Sequence, residues 1–182
     1  MTVEAFLAWE PRDGYQYELV DGQPRAMEPA SIVHGLLQGR LARQIGEHLL
    51  RLGRSCEVIV ARGVIPRVLS ADNVRIPDLG VTCSPVRSGQ QTIVDPVLLI
   101  EILSPSDRAE TWSNVWTYTS IPSVQEILVL QSDAVAAHVL RRDAGGMWPE
   151  APEKVVTGDL ILASIDFRAA LADLYAGTDL VG

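Results

Sequence analysis

Three acidic residues stand where acids are out of place, and their setting points to cation or proton chemistry. Residues 97–103 (VLLIEIL) are apolar on both faces, the pattern of a buried central strand. A period of two places Val97, Leu99, Glu101 and Leu103 on one face, so Glu101 interrupts an apolar stripe. A lone buried carboxylate is costly unless it is protonated, paired with a cation or bound to a metal. Two readings stand for it: a structural ion pair with an arginine, or a functional acid. Asp78 lies in residues 75–83 (RIPDLGVTC) beside Pro77, which cannot donate to a sheet ladder. If the two strands are neighbours, Asp78 and Glu101 converge, and two close carboxylates share a proton or hold a divalent cation. Such oxygen donors suit magnesium or manganese. The alternative for Asp78 is turn capping. Glu18, in residues 15–20 (YQYELV), is the third candidate, and its alternative is a cross-strand partner for an arginine of the hairpin.

The elements that must position these acids follow from the pattern of the chain. Residues 15–20 read as a strand, Asp21-Gly22 as a hairpin turn and residues 23–27 as the return strand. Residues 31–52 are the clearest helix: Ile32, Leu36, Leu37, Leu41, Ile45, Leu49 and Leu52 recur every three or four positions. Ser31 suits the N-cap, and Gly53 sits just past the end. Strands are expected over 56–69, 75–83 and 97–103, with a polar loop over 84–95. A helix follows from Ser106 or Asp107 to about Ser120, with Asp107 and Glu110 resembling a capping box. Two strands, 124–130 and 135–141, and a helix over 166–175 complete the reading. The order implies an α/β or α+β fold with a mixed sheet. No repeat or linker is visible, so residues 1–182 are read as one domain.

Composition narrows the function classes. At 47% hydrophobic and 21% charged residues, the chain carries enough apolar material for a real core. The formal net charge is −8, which disfavours a protein that coats DNA without specificity. Fourteen arginines accompany a single lysine, Lys154. Cys56 and Cys83 are too few for a disulfide scaffold and read as buried thiols in a reducing compartment. No signal-peptide pattern and no apolar run of about 20 residues appear, so a cytoplasmic protein without membrane contact is expected.

Several of these segments, in order, carry a resemblance. Tyr17-Glu18-Leu19-Val20-Asp21-Gly22, a helix entered near His34, and Pro77-Asp78 come first. Glu101-Ile102-Leu103-Ser104-Pro105-Ser106-Asp107, a helix carrying Tyr118, and residues 124–130 follow. Together they resemble the Uma-two family ("putative restriction endonuclease"), which is similar to the PD-(D/E)XK nuclease superfamily. The resemblance implies a restriction-endonuclease-like core, a mixed sheet flanked by helices with the acids at one edge. It maps the metal-binding acids onto Asp78 and Glu101, the upstream family acid onto Glu18, and an extra carbonyl ligand onto Ile102.

The chain departs from the family at the lysine that orients or deprotonates the attacking water. The superfamily position holds Leu103, and the helix position from which this family supplies a lysine, one turn before Tyr118, holds Asn114. Asparagine can position a water but carries no charge and cannot act as a base. Arg108 is a candidate cation near the site, although it is always protonated. His34, at the start of the long helix, is read as approaching the site.

His48 suits the helix end, and His138 reads as structural. Trp112 and Trp116 read as packing residues. Arg40, Arg43, Arg51 and Arg54 read as a solvated face and the best local candidate for phosphate contact. Ser104 lacks a nucleophile-elbow context, and no phosphate-binding glycine loop is present. The leading expectation is a magnesium- or manganese-dependent endonuclease acting on DNA, weakened by loss of the lysine. The alternative is a non-catalytic module, a homodimer, that keeps the nuclease fold for protein or nucleic-acid interaction.

Overall fold

The strand β5 (Pro96–Leu103) organises the molecule, because its side chains are buried on both faces and each face therefore demands its own cover. In the computed structural model, which describes residues 1–106 and 108–181, β5 lies inside a six-stranded sheet. The sheet order is β3-β4-β5-β6-β7-β8, formed by Glu57–Val60, Leu79–Thr82, β5, Glu126–Gln131, Ala137–Arg141 and Glu153–Val155. β5 and β6 run parallel, and the neighbouring strands pair antiparallel. The sheet is thus mixed and flanked by helices, as expected.

Helix α2 (Ile32–Arg51) covers one face with Leu37, Leu41, Ile45 and Leu49, which pack with Leu98, Ile100, Ile102 and Leu128. Truncating one of these, as in Leu41→Ala, costs about 2–5 kcal/mol. Ser31 caps the helix by accepting the His34 N–H, and Gly53 takes a positive φ just beyond the end. Helix α3 (Arg108–Tyr118) makes the crossover between the parallel strands and covers the other face, Val115 and Tyr118 packing with Leu99, Leu103 and Val129. The expected capping acid of α3, Asp107, lies outside the described residues. A separate hairpin, β1 (Tyr17–Val20) and β2 (Gln23–Ala26), turns at Asp21-Gly22 with φ of 49° and 76°. This is the sterically special turn that the Asp-Gly pair suits. The hairpin is tied to the rest of the chain through Leu19 and Val74.

Four expectations need correction. The strand expected over 56–69 stops at Val60, because Ala61 adopts a left-handed conformation (φ 48°) and residues beyond it make only isolated bridges. The strand expected over 75–83 shortens to β4, since Pro77 breaks its ladder. The helix expected over 166–175 is a strand, β10 (Phe167–Ala170), then a single turn, α4 (Leu171–Leu174). β10 pairs with β9 (Asp159–Leu162), whose alternating burial places Leu160 and Leu162 in the core, and this packing overrides local helix propensity. Finally, Cys56 and Cys83 are a disulfide rather than two thiols. One step beyond the Glu57–Thr82 pairing of β3 and β4, they lie directly opposite each other with Cα atoms 3.9 Å apart. The pairing removes the ground on which a reducing compartment was expected.

Candidate active site

The register of β4 on β5 builds the site. Leu79 faces Ile100, so one step further Asp78 lies opposite Glu101 and shares its face of the sheet. The two carboxyls are close enough that the Asp78 charge raises the Glu101 pKa. Asp78 is held from several sides. Its Oδ2 accepts the Ile102 N–H at 2.7 Å, and its Oδ1 lies 2.7 Å from His34 Nε2. Its backbone carbonyl accepts from Gln38 Nε2 and from the Ala61 N–H, both at 3.0 Å. Pro77 ends the regular ladder here, and Asp78 is fixed by His34 and Gln38 of α2 together with Ile102 of β5 and Ala61.

Glu101 is 7% exposed and receives the Tyr118 hydroxyl at 2.6 Å. Burial pushes its carboxyl well above the usual carboxylate range, and the negative charges of Asp78 and Glu18 push the same way. Burial, with Glu101 beside it, also pushes the Tyr118 phenol well above its ordinary value. Glu18 points inward from β1. Its carboxylate accepts the Ile76 N–H at 2.7 Å and Asn114 Nδ2 at 3.2 and 3.3 Å, with Arg75 Nη1 at 3.8 Å. Burial raises the Glu18 pKa, while the Ile76 bond, the Arg75 charge and Asn114 oppose the rise.

Among the described residues Glu101 has no guanidinium partner, so the structural ion-pair reading fails for it. Glu18 does pair with an arginine, but with buried Arg75 rather than its hairpin neighbour Arg25. Arg25 instead reaches Glu110, 3.8 Å away, in an exposed pair. Glu18, His34, Asp78, Glu101, Ile102 and Asn114 all line one cavity of about 660 Å³ between the hairpin, the start of α2 and α3.

Known proteins bear on this arrangement. The family model Uma2, described as "Putative restriction endonuclease", matches residues 3–171. The chain belongs to the Uma2 family. An uncharacterised protein of Synechocystis sp. is 31% identical over 150 residues, covering 81% of this chain and 77% of that protein. A crystal structure from Anabaena variabilis, described as a "putative nuclease belonging to DUF820", superposes with a TM-score of 0.77. It covers 97% of this chain and 98% of that one at 17% identity, which shows a shared fold.

Lys154, the single lysine of this Uma2 chain, does not line the cavity. Leu103 is buried in the core beneath α3. Lys154 lies on β8, three strand spacings from β5, roughly 14 Å away. Asn114 does enter the site, but its amide is engaged by Glu18. Arg108 does not enter it: half exposed at the start of α3, it turns to Asp133 at 3.4 Å and does not line the cavity. Of the four arginines read as one face, Arg40 donates to carbonyls of residues 173, 174 and 176, Arg43 pairs with Glu47, Arg51 is exposed, and Arg54, beyond the end of α2, pairs with Asp166.

Three site residues escaped sequence reasoning as participants. Tyr118 stands four residues after Asn114, on the same helix face, so its spacing was a usable signal. Gln38 stands one turn after His34 in the same way. Arg75 carried no local signal, because its side chain meets Glu18 only through the docking of the hairpin.

Among the described residues no group of three or more His, Cys, Asp or Glu side chains is arranged to hold a metal ion. The donor set instead has two neighbouring carboxyls. It also has the backbone of Ile102, whose N–H faces Asp78 and whose carbonyl points to the same side of the strand. That set fits an ion such as magnesium, which keeps several waters and takes one or two carboxylates. Among the described residues no helix is long and apolar enough to cross a membrane.

Proposed function

We propose that this chain hydrolyses phosphodiester bonds of DNA at the Asp78–Glu101 cavity with the help of magnesium or manganese. The observation that carries the reading is the closeness of buried Glu101 and partly buried Asp78, which have no lysine or guanidinium partner among the described residues and line an open cavity. Structural economy gives no reason to bury such a pair, since each desolvated charge opposes the other.

Asp78, Glu101 and the Ile102 carbonyl are the groups that would hold the ion. The ion, when bound, lowers the pKa of water and polarises the phosphate. His34 and the Ile102 N–H fix the Asp78 carboxylate, and Tyr118 fixes Glu101. Asn114 and Arg75 fix Glu18, which faces the cavity as the acceptor of the proton given up by the attacking water. Its upward-shifted pKa makes it a better base than an exposed carboxylate. Asn114 thus acts through Glu18, in the place from which family members present a lysine.

A second reading rests on that same substitution. With no lysine lining the cavity, the fold serves as a non-catalytic module, a homodimer, for nucleic-acid or protein contact.

Incubation with supercoiled, linear and single-stranded DNA in magnesium or manganese separates the two. Cleavage that Asp78→Asn abolishes supports the hydrolase. No cleavage of any form, together with a calorimetric metal titration unchanged by Asp78→Asn, sinks it and leaves the module.

A further inference from the structure

A second cavity, of about 540 Å³, lies beside the acid site. Its walls carry Phe6, Trp9, Tyr15 and Tyr17, four of the ten aromatic residues of the chain. None of the four belongs to either hydrophobic core, and helix α1 (Val3–Leu7) has no buried residue. Tyr15 is 53% exposed. Phe6, Trp9 and Tyr17 are partly buried and pack on one another, so the four rings form an aromatic cluster outside the core with Tyr15 at its open side.

The rings are held in place. Asp13 accepts the Tyr17 hydroxyl at 2.5 Å and the Tyr15 N–H at 3.1 Å. Trp9 meets Tyr17 edge-on, with ring centroids 4.9 Å apart. Arg62 and Gln91 add polar groups to the same wall. A flat ligand with an aromatic face and a hydrogen-bonding rim matches this lining, whereas an aliphatic chain leaves the polar groups unmatched.

The cavity is continuous with the acid site. Gly14, Tyr15, Gln16, Ala61 and Ile76 line both. The partition between them is a short hydrogen-bonded relay: Gln16 Nε2 donates to the Ala61 carbonyl, and the Ala61 N–H donates to the Asp78 carbonyl. Ile76, on the same wall, gives its N–H to Glu18.

We propose that the aromatic cavity receives an unpaired DNA base adjoining the scissile phosphate, so that the substrate is single-stranded or locally melted DNA. The proposal rests on the hydrolytic reading for the identity of the strand, but its test does not require cleavage. A base inside a duplex has both faces stacked and its edge paired, so it reaches such a cavity only when unpaired.

The experiment is fluorescence anisotropy in calcium at low salt, with an oligodeoxythymidylate of about 12 nucleotides and a duplex of equal length. The intact chain binds the single strand more tightly than the duplex. Tyr15→Ala and Trp9→Ala each weaken single-strand binding by about 5- to 150-fold, the range for losing one stacked base, and leave duplex binding unchanged. Tyr15→Phe keeps the affinity because the ring remains. Equal affinity for both DNAs, equal loss on both, or a Tyr15→Phe defect as large as that of Tyr15→Ala overturns the proposal.

Tyr15 is exposed enough for its variants to fold, so the result stands even if Trp9→Ala lowers the melting temperature. If the single-strand contrast holds while no DNA is cleaved in magnesium or manganese, the hydrolytic reading fails and the base cavity stands. If duplex is cleaved as fast as single strand and Tyr15→Ala changes neither rate, the cavity assignment fails and hydrolysis stands.

Discussion

Glu101 and Glu126 are buried glutamates on adjacent strands, and they have opposite surroundings. Glu126 is fully enclosed. Its carboxylate receives Arg141 Nε at 2.7 Å, the Ala163 and Ser164 N–H groups at 3.2 and 3.0 Å, and the Ser164 hydroxyl at 2.8 Å. It ties β6 to the segment after β9, and nothing in its surroundings calls for a further ligand. Glu101 receives one tyrosine hydroxyl and faces a second carboxyl. Burial alone therefore does not mark a functional acid. The mark is burial with the charge left uncompensated, at the wall of a cavity.

The largest effect that tests this contrast is on cleavage. Asp78→Asn or Glu101→Gln should lower DNA cleavage in magnesium by about 10²- to 10³-fold, the loss seen when one group that stabilises developing charge is removed. Glu126→Gln should not lower the rate, and a loss there comparable to Glu101→Gln would erase the distinction.

Stability should show the reverse order. Glu126→Ala leaves the Ala163 and Ser164 N–H groups without their acceptor and removes one partner of half-exposed Arg141, at about 3–5 kcal/mol in all. That corresponds to a fall of roughly 6–20 °C in melting temperature for a chain of this size. Glu101→Gln should leave the melting temperature of the metal-free protein unchanged or higher.

A smaller gain is expected from Asn114→Lys, which adds a second cation beside Glu18. Cleavage should rise on the order of tenfold, less than a full acid–base contribution because Arg75 already occupies part of that role. A fall in rate, with the melting temperature retained, would show that Asn114 is needed as an amide.

The smallest effect is on the pH dependence of stability. Glu101 has a folded pKa above its ordinary value of 4.5, so the folded state holds this proton more tightly than the unfolded chain does. Its contribution is complete below pH 4.5 and is lost as pH rises through the raised folded value. In chelator, the melting temperature should therefore fall as pH rises from 4.5 up to that value, and Glu101→Gln should flatten the slope. Magnesium added at neutral pH should recover the loss. An unchanged slope in Glu101→Gln would place the titration elsewhere.

Much of the scaffold was readable because it is written locally. The 3–4 spacing of Leu37, Leu41, Ile45 and Leu49 specifies α2 and its buried face, and Asp21-Gly22 specifies the hairpin turn. Glu101 was legible for the same reason, since a single acid in an apolar alternation needs no partner to be noticed. Features that depend on distant pairing were not legible. The Cys56–Cys83 bond follows from the β3–β4 register, and the Arg75–Glu18 contact follows from where the hairpin docks. Arg108 was misplaced because its direction is set by Asp133, in the turn between β6 and β7. Residues 166–175 were misread because Leu160, Leu162 and Phe167 gain more by joining the core as strands than their short segments gain as helix.

The sequence by itself determined which residues form the two covering helices and the central strand, and that an acid interrupts that strand. Those properties depend on side-chain period and polarity along a few consecutive residues. Only the tertiary structure decided that Asp78 faces Glu101, that Glu18 and Asn114 join them, and that aromatic residues 6 to 17 open a cavity beside them. A slip of one residue between β4 and β5 would turn Asp78 to the opposite face of the sheet. The long-range register, which no local pattern encodes, is what makes the acids a site.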